Sequence, residues 1–144
     1  MVVRVTDKTL LRRRLARAHR QSVPGADFLI EHVVADLADR LGSVERRFDI
    51  AVAFGGQTDR LAQALEASGK VARVVRIEPL AAAFGHGDPG VVADEEGLPL
   101  APRSVDLFAS ALRLQWTNDL PGALLGVITR PLGAILGGPR IGRR

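Results

Sequence analysis

A glycine pair and a later acidic residue are the groups in this sequence whose types and spacing could bind a small molecule. Gly55 and Gly56 follow the apolar run 50–54, and apolar residues recur at helical spacing directly after them. A glycine turn between a buried strand and a helix lets a ligand approach the backbone, and the start of the helix presents free N–H groups. Glu78 ends the next apolar run, about 20 residues on, where nucleotide-binding units place the acid that accepts ribose hydroxyls.

The glycine turn also has a purely structural interpretation. The dinucleotide pattern G-x-G-x-x-G is not matched, because Gln57 and Arg60 stand at its second and third glycine positions. A strand that ends in two glycines is commonly no more than a turn, so the motif needs support from the rest of the chain.

Composition is that of one globular domain. The chain has 144 residues, of which 47% are hydrophobic and 25% charged, and it can bury a core of its own. No apolar stretch reaches membrane-spanning length, and no secretory signal pattern is visible. The absence of Cys and the scattered positions of His19, His32 and His86 predict no metal site, and no catalytic residue is assigned.

The positive charge is concentrated near the N-terminus. Residues 1–47 contain ten Lys or Arg and six Asp or Glu, a net charge of +4, whereas residues 48–144 contain ten of each. The excess charge therefore belongs to the N-terminal arm and gives no information about the glycine-turn region. Residues 6–20 form a predicted basic helix with three open interpretations: a solvated helix docked by its leucines, a contact for an acidic protein or nucleic acid, or an organellar transit peptide. No aromatic residues alternate with the arginines, which weighs against single-stranded nucleic acid.

Strands and helices alternate after this arm, which predicts a parallel sheet with right-handed crossovers. Ligands in such sheets bind beyond the carboxyl ends of the strands. The Gly55 turn, Glu78, Asp94 and Ala111 all follow predicted strands, so together they predict a nucleotide-like site. The predicted strands are 50–54, 71–77, 91–93, 105–110 and 132–136, and helical segments are predicted at 27–41, 61–65, 80–84, 111–116 and from Pro121.

Three stretches of the second half resemble a known family. They are Val-Val-Ala-Asp-Glu-Glu-Gly-Leu-Pro-Leu at 91–100, Ser-Val-Asp-Leu at 104–107 and Ala-Leu-Arg-Leu-Gln-Trp-Thr-Asn-Asp-Leu-Pro at 111–121. They resemble class I S-adenosylmethionine-dependent methyltransferases, and within these the methyltransferase-like complex I assembly factors, whose mitochondrial member is an arginine hydroxylase. The malonyl-carrier O-methyltransferases of biotin synthesis are similar to a lesser degree. The 27–41 helix and the basic arm fit the same family.

The resemblance implies S-adenosylmethionine as the cofactor and gives each candidate residue a role. The acid after the second strand would hold the ribose hydroxyls, the acids after the third would lie at the adenine, and the glycine turn would lie against the methionine part. The cofactor-binding candidates are Gly55, Gly56, Glu78, Asp94, Glu95 and Ala111. The chain departs from the family pattern D-x-G-x-G-x-G at Ala53, Gln57 and Asp59.

The pair Glu95 and Glu96, together with His86 and Trp116, is left with two interpretations for each feature. Glu95 and Glu96 are expected to form a solvated turn, with Glu95 near the adenine as the alternative. His86 is a base or a solvent-facing loop residue, and Trp116 covers the ligand or is a core aromatic, the second interpretation being favoured in both cases.

The fold that follows is α/β, a Rossmann-like class I methyltransferase fold with a mostly parallel sheet, incomplete at the C-terminus. We divide it into the basic arm and second helix at 1–47, the α/β domain at 48–137, which stops after the fifth strand, and a basic tail at 138–144. The apolar strand at 132–136 would leave one edge of the sheet uncovered, which predicts self-association.

The leading functional hypothesis is a methyltransferase-family protein related to complex I assembly factors, with methyl transfer as the family's enzymatic activity. The alternative is a non-catalytic pseudo-methyltransferase that binds a protein partner through the basic arm. Nucleic acid is the least favoured partner, for the reason given above. The predicted location is the cytoplasm, with the mitochondrial matrix as the alternative.

Overall fold

A computed structural model describes residues 3–101 and 104–123, and the backbone of 134–136. Five strands form one sheet in the order β3-β2-β1-β4-β5, and every neighbouring pair is parallel, as predicted. The strands are β1 (Phe48–Phe54), β2 (Val71–Glu78), β3 (Val91–Val92), β4 (Leu107–Ser110) and β5 (Ala134–Leu136). The helices are α1 (Lys8–Gln21), α2 (Phe28–Gly42) and α3 (Arg60–Ala67), with 3₁₀ turns at Ala81–Ala83 and Leu114–Trp116.

β1 is the central strand, and its two faces build two cores. Ala51 and Ala53 face α2 and α3, where their small side chains leave room for the helices. Val52 and Phe54 face the other side of the sheet, where Phe54 meets Phe108 at 5.8 Å between ring centroids. This alternation is the period of two that strand geometry imposes, and burial on both faces explains why the run is wholly apolar.

α2 supplies the main helical layer of the core. Its buried residues Ile30, Val34, Leu37 and Leu41 recur every three or four positions, so they form one stripe against β1. The predicted helix is confirmed with small shifts. Asp27 precedes the first helical residue but makes no side-chain cap hydrogen bond, and Gly42 is the last helical residue instead of the stop.

α1 differs from α2 because none of its residues is fully buried. Asp7 caps it by accepting the Leu10 N–H at 3.0 Å, and it ends at Ser22, which has a left-handed φ of 41°. Leu11 and Leu15 are half-buried and give the helix a shallow apolar contact with the domain.

The later elements match the predictions within a few residues. Asp119 caps the segment that contains Pro121, because its carboxylate accepts the Gly122 N–H at 3.0 Å. β5 is a terminal strand of the sheet, as expected. Residues 132, 133 and 137–144, where the rest of the predicted fifth strand and the basic tail fall, lie outside the described residues.

The turn after β1 requires glycine for two reasons. Gly55 has a φ of +80°, and a Cβ built there would lie 2.7 Å from the Cβ of Arg113, which follows β4. Gly69, in the turn before β2, has a similar φ of +68° but open space around it. We expect both alanine substitutions to cost about 1–2 kcal/mol for the left-handed backbone. Gly55→Ala should cost about 1–3 kcal/mol more, because the methyl group overpacks the site.

Chemical denaturation of the two variants measures this difference directly. Equal losses of unfolding free energy would show that the turn relaxes away from Arg113 and that the close packing is not a constraint.

Candidate functional site

A cleft of about 470 Å³ lies at the carboxyl ends of the strands, between the sheet and the first two helices. One wall comes from α1, α2 and the turn between them, and the floor comes from the residues that follow β1, β2 and β4. The lining includes Leu15, Ala18, His19, Ser22, Asp27 and Ile30 on the wall, and Gly55, Gly56, Gln57, Glu78, Leu112, Arg113 and Trp116 on the floor. The cleft is therefore at the place where parallel α/β sheets bind ligands.

Glu78 is a buried carboxylate at the floor of the cleft, with 0% of its surface exposed. Its Oε2 accepts the backbone N–H of Gln57 at 3.2 Å, and its Oε1 accepts Nε–H of Arg76 at 3.2 Å. Arg76 is itself fixed, since it donates to the carbonyl of Ala83 at 2.8 Å and lies 4.7 Å from the ring centroid of Phe84. Burial raises the pKa of Glu78, while Arg76 and the Gln57 N–H act in the opposite direction.

The residue that follows the two glycines of the turn, Gln57, also has a left-handed backbone conformation. Gln57 has a φ of +59°, in the left-handed region that glycine favours, although it carries a side chain into the cleft. Its N–H is the one that Glu78 accepts, so this hydrogen bond offsets the cost of the backbone conformation. The sequence showed the missing glycine but could not show that the turn retains its shape.

Three consecutive acids after β3 meet three cations from distant parts of the chain. Lys8 of α1 contacts the Glu95 carboxylate and lies 3.7 Å from carboxylate oxygens of both Asp94 and Glu96. Arg113 donates from Nε to Glu95 Oε2 at 3.1 Å, and Arg12 lies 3.8 Å from Asp94 Oδ2. We call these six residues, three positive and three negative, the ion network.

The Glu95 side chain is fully buried in this network, so the expectation of a solvated turn is wrong at that position. The physical reason is that Lys8 and Arg113 compensate the charge from two sides, which allows burial. The three carboxylates have ligand atoms within 4.8 Å of one another, close enough for a metal ion. Lys8 Nζ already lies against all three, however, and supplies the positive charge that such a group requires.

Polar contacts extend the attachment of α1. The Thr6 N–H donates to Asn118 Oδ1 at 2.7 Å, and Asn118 Nδ2 donates back to the Thr6 carbonyl at 3.0 Å. The Asn118 N–H donates to Glu96 Oε1 at 2.7 Å. The basic arm thus joins the loops after β3 and β4 and forms a wall of the cleft. A charge count could not show this contact, because it does not reveal pairing across 87 residues of sequence.

The structure divides the predicted site residues into three groups. Gly55, Gly56 and Glu78 line the cleft. Asp94 and Glu95 belong to the ion network and are not among the residues that line the cleft, and Ala111 is fully buried in the core cluster that includes α2.

The uncertain aromatic and histidine positions are also settled. Trp116 lines the cleft and is 43% exposed, so the favoured core interpretation is wrong. His86 is exposed and is not among the residues that line the cleft, which agrees with a solvent-facing loop.

Arg113, Lys8 and His19 are site residues that sequence analysis missed. Burial lowers the pKa of Arg113, and burial also lowers that of Lys8, against the pull of Asp94 and Glu96. The available signal for Arg113 was a single arginine among the apolar residues that follow β4. No comparable pattern marked Lys8 or His19, because they are part of a helix with many cations.

The known proteins found to be similar in sequence to this chain carry one and the same name. The chain is 34% identical over 141 residues to the human protein named arginine-hydroxylase NDUFAF5, mitochondrial, a match that covers 92% of the chain. The zebrafish protein of the same name is 32% identical over 119 residues, or 77% of the chain. The matches cover 41% and 37% of those two proteins, so the chain spans about two fifths of their length. No protein-family model matches the chain.

A solved structure supports the fold. It is a chain from the complex between the Haloferax volcanii methyltransferase activator Trm112 and a methyltransferase, and it superposes with a TM-score of 0.70 at 19% identity. The superposition covers 86% of this chain and 57% of the other, which confirms the Rossmann-like α/β architecture.

The contacts of the ion network predict that Lys8 helps to hold α1 against the domain. Lys8→Gln would leave the buried Glu95 carboxylate with a weaker partner, and we expect a loss of about 1–3 kcal/mol in unfolding free energy, limited by the partial hydration of Lys8. Amide hydrogen exchange along α1 should quicken in this variant. Arg14→Gln is the matched control, since Arg14 is an exposed cation of the same helix. Equal exchange in the two variants would show that apolar contacts alone hold α1 in place.

The shifted pKa of Glu78 predicts how the stability of the fold depends on pH. Its pKa in the folded state lies above the usual 4.5, so the folded state holds the proton more tightly than the unfolded chain. The stability that Glu78 contributes is therefore complete below pH 4.5 and falls as the pH rises through the folded-state pKa. The steepest slope is about 1.4 kcal/mol per pH unit.

Urea denaturation of the wild type and Glu78→Gln over a range of pH isolates this contribution, because the amide cannot titrate. The wild type should lose stability relative to the variant as the pH rises. Glu66→Gln, at an exposed position, controls for the amide substitution itself. A stability difference that grows in favour of the wild type with rising pH would contradict the inferred direction.

Proposed function

We propose that this chain belongs to the same methyltransferase-like family as the NDUFAF5 proteins that it matches, and that it binds S-adenosylmethionine in the cleft beside the glycine turn. The observation that carries the proposal is the buried Glu78 carboxylate at the end of β2, which lines the cleft next to Gly55 and Gly56. A buried acid at that strand end accepts ribose hydroxyls in nucleotide-binding α/β units.

The residues present fit the nucleoside end of this cofactor. Each Glu78 oxygen accepts one hydrogen bond from the described residues, and a carboxylate has about four acceptor positions, so two hydroxyls can be accommodated. Trp116 offers a half-exposed ring in the same cleft, suited to stacking on a base.

Asp94, which lies 4.0 Å from the cleft residue Arg113, supports a place for the adenine amino group. Its Oδ2 is buried and has no hydrogen-bond donor among the described residues, although Lys8, Arg12 and Arg113 all lie near it. A buried acceptor without a donor is costly, and a ligand N–H would satisfy it. Asp94 therefore stays a candidate for binding the cofactor. Glu95 is already paired with Lys8 and Arg113, and Ala111 contributes only packing in the core.

The cofactor, when bound, supplies an activated methyl group. The residues of this chain would then bind its ribose, orient it through the glycine turn and exclude water with the α1 wall. Methyl transfer is part of the proposal only as the family's chemistry. No side chain in the cleft is assigned a proton-transfer role, and arginine hydroxylation is ascribed only to the relatives that bear that name.

A second function is favoured by the outer surface of α1. Arg13, Arg14, Arg17 and Arg20 are all exposed, whereas Lys8 and Arg12 are used in the ion network. This exposed basic surface suits an acidic protein partner, whose binding would weaken with added salt. The two functions are compatible, since a partner bound to the outer surface of α1 leaves the cleft free.

The location of the protein also remains a proposal. The relatives carry the word mitochondrial in their names, which favours the mitochondrial alternative over the cytoplasm. Among the described residues, no helix combines the length and the apolar character needed to cross a membrane.

Calorimetry with S-adenosylmethionine tests the proposed function. We expect binding to the wild-type chain and a loss of about tenfold or more in Glu78→Ala, because hydrogen bonds to a charged group contribute about 1.5–3 kcal/mol. Glu45→Ala, at an exposed position, is the control and should bind like the wild type. Wild-type affinity in a folded Glu78→Ala variant would remove Glu78 from the site, and no binding to the wild type would remove the proposal.

A further inference from the structure

Gln57 and Thr58 are consecutive polar residues that line the cleft directly after the two glycines of the turn. Within the described residues, no hydrogen bond joins the side chain of either residue to another group. The Thr58 hydroxyl is itself buried, so its missing partner costs free energy. The Gln57 side chain is half-buried and carries both a donor and an acceptor. The turn therefore presents polar groups to the cleft that the protein itself does not satisfy.

The backbone of Gln57 adds a second cost. Its φ of +59° is in the left-handed region, where a Cβ is unfavourable and glycine is not. A glycine at this position would have the same turn without the strain. Strained residues of this kind are concentrated at ligand-binding sites, so the side chain that is kept here points to a role in binding.

Both residues lie beside Glu78. The backbone N–H of Gln57 donates to Glu78 Oε2 at 3.2 Å, which places the start of its side chain close to the carboxylate. A carboxylate only accepts hydrogen bonds, whereas a hydroxyl that donates to it keeps lone pairs that can accept. Nε2 of Gln57 and Oγ1 of Thr58 can donate to those lone pairs. The carboxylate and the two donors together suit a ligand hydroxyl, which both donates and accepts.

We propose that Gln57 and Thr58 donate hydrogen bonds to the ligand hydroxyls that Glu78 accepts, and so make the cleft specific for ribonucleosides over deoxyribonucleosides. The inference rests on the proposed function, because the hydroxyls are those assigned to Glu78. A phosphate could accept from both donors, but the negative charge of Glu78 would repel it. An ammonium group could donate to Glu78, but it has no lone pair for the two donors.

Three nucleosides that differ only in their hydroxyls test the proposal: adenosine, 2′-deoxyadenosine and 3′-deoxyadenosine. Titrations followed by nuclear magnetic resonance measure their dissociation constants. The wild type should bind adenosine about tenfold or more tightly than either deoxy form, because each loss of a hydroxyl removes a hydrogen bond to a charged group.

Two variants remove the proposed donors with little change of shape. Gln57→Met keeps the length of the side chain without its amide, and Thr58→Val replaces the hydroxyl by a methyl group. Each should weaken adenosine binding by about threefold to tenfold, as expected for a hydrogen bond between neutral groups. Binding of one deoxy form should stay within about twofold in each variant, since that form lacks the hydroxyl concerned, and a double-mutant cycle measures this selective loss.

Gln57→Gly separates a binding role from a packing role. Glycine relieves the left-handed backbone, so this variant should resist urea better than the wild type and still bind adenosine more weakly. Gln63→Met is the matched control, because Gln63 is an exposed residue of α3 that donates to Asp59 at 2.7 Å and does not line the cleft. It should bind adenosine like the wild type.

The outcomes separate this proposal from the proposed function. Tighter adenosine binding by Gln57→Gly would show that the side chain obstructs the cleft, and the inference would be wrong. If Gln57→Met and Thr58→Val weaken all three nucleosides equally, the two residues have a structural role, which also overturns the inference while the nucleoside site stands. A wild type that binds S-adenosylmethionine but does not distinguish the three nucleosides contradicts the inference alone. If it binds neither S-adenosylmethionine nor adenosine, the proposed function fails and the inference fails with it.

Discussion

The burial of Glu95 between Lys8 and Arg113 is the interaction on which the cleft depends. It joins three parts of the chain that are far apart in sequence: the first turn of α1, the loop after β3 and the loop after β4. A buried carboxylate costs several kcal/mol unless it is paired from close range, so the two cations and the acid must be present together. Since α1 has no fully buried residue, this pairing and the contacts between Thr6 and Asn118 fix the helix as a wall of the cleft.

A second buried acid organises the floor in a different way. Glu78 pairs with Arg76 on its own strand and accepts the N–H of Gln57 from the turn after β1, so it links two neighbouring strand ends. The parallel register makes this contact possible, because the ends of adjacent strands come out at the same edge of the sheet. The cost of burying the charge raises the pKa of Glu78, a type of perturbation that is frequent at functional sites.

These two arrangements show how a turn that departs from the pattern D-x-G-x-G-x-G can keep an open cleft beside it. Gln57 adopts the backbone conformation of a glycine, and Glu78 stabilises it through the N–H that the turn presents. The chain spans about two fifths of the length of the relatives that it matches.

The sequence by itself determined the fold class and the succession of strands and helices along the chain. It also indicated that a ligand would bind at the carboxyl ends of the strands. Those features follow from the spacing of apolar residues and from the positions of glycines, and both patterns can be seen within about ten residues of sequence. Gly55, Gly56 and Glu78 could be placed in the cleft for this reason. The roles of Glu95, Arg113 and Trp116 were decided only by the tertiary structure, because burial and ion pairing depend on residues as distant as Lys8. A charge pattern records how many cations an arm carries, but the folded chain alone determines which of them meet a carboxylate.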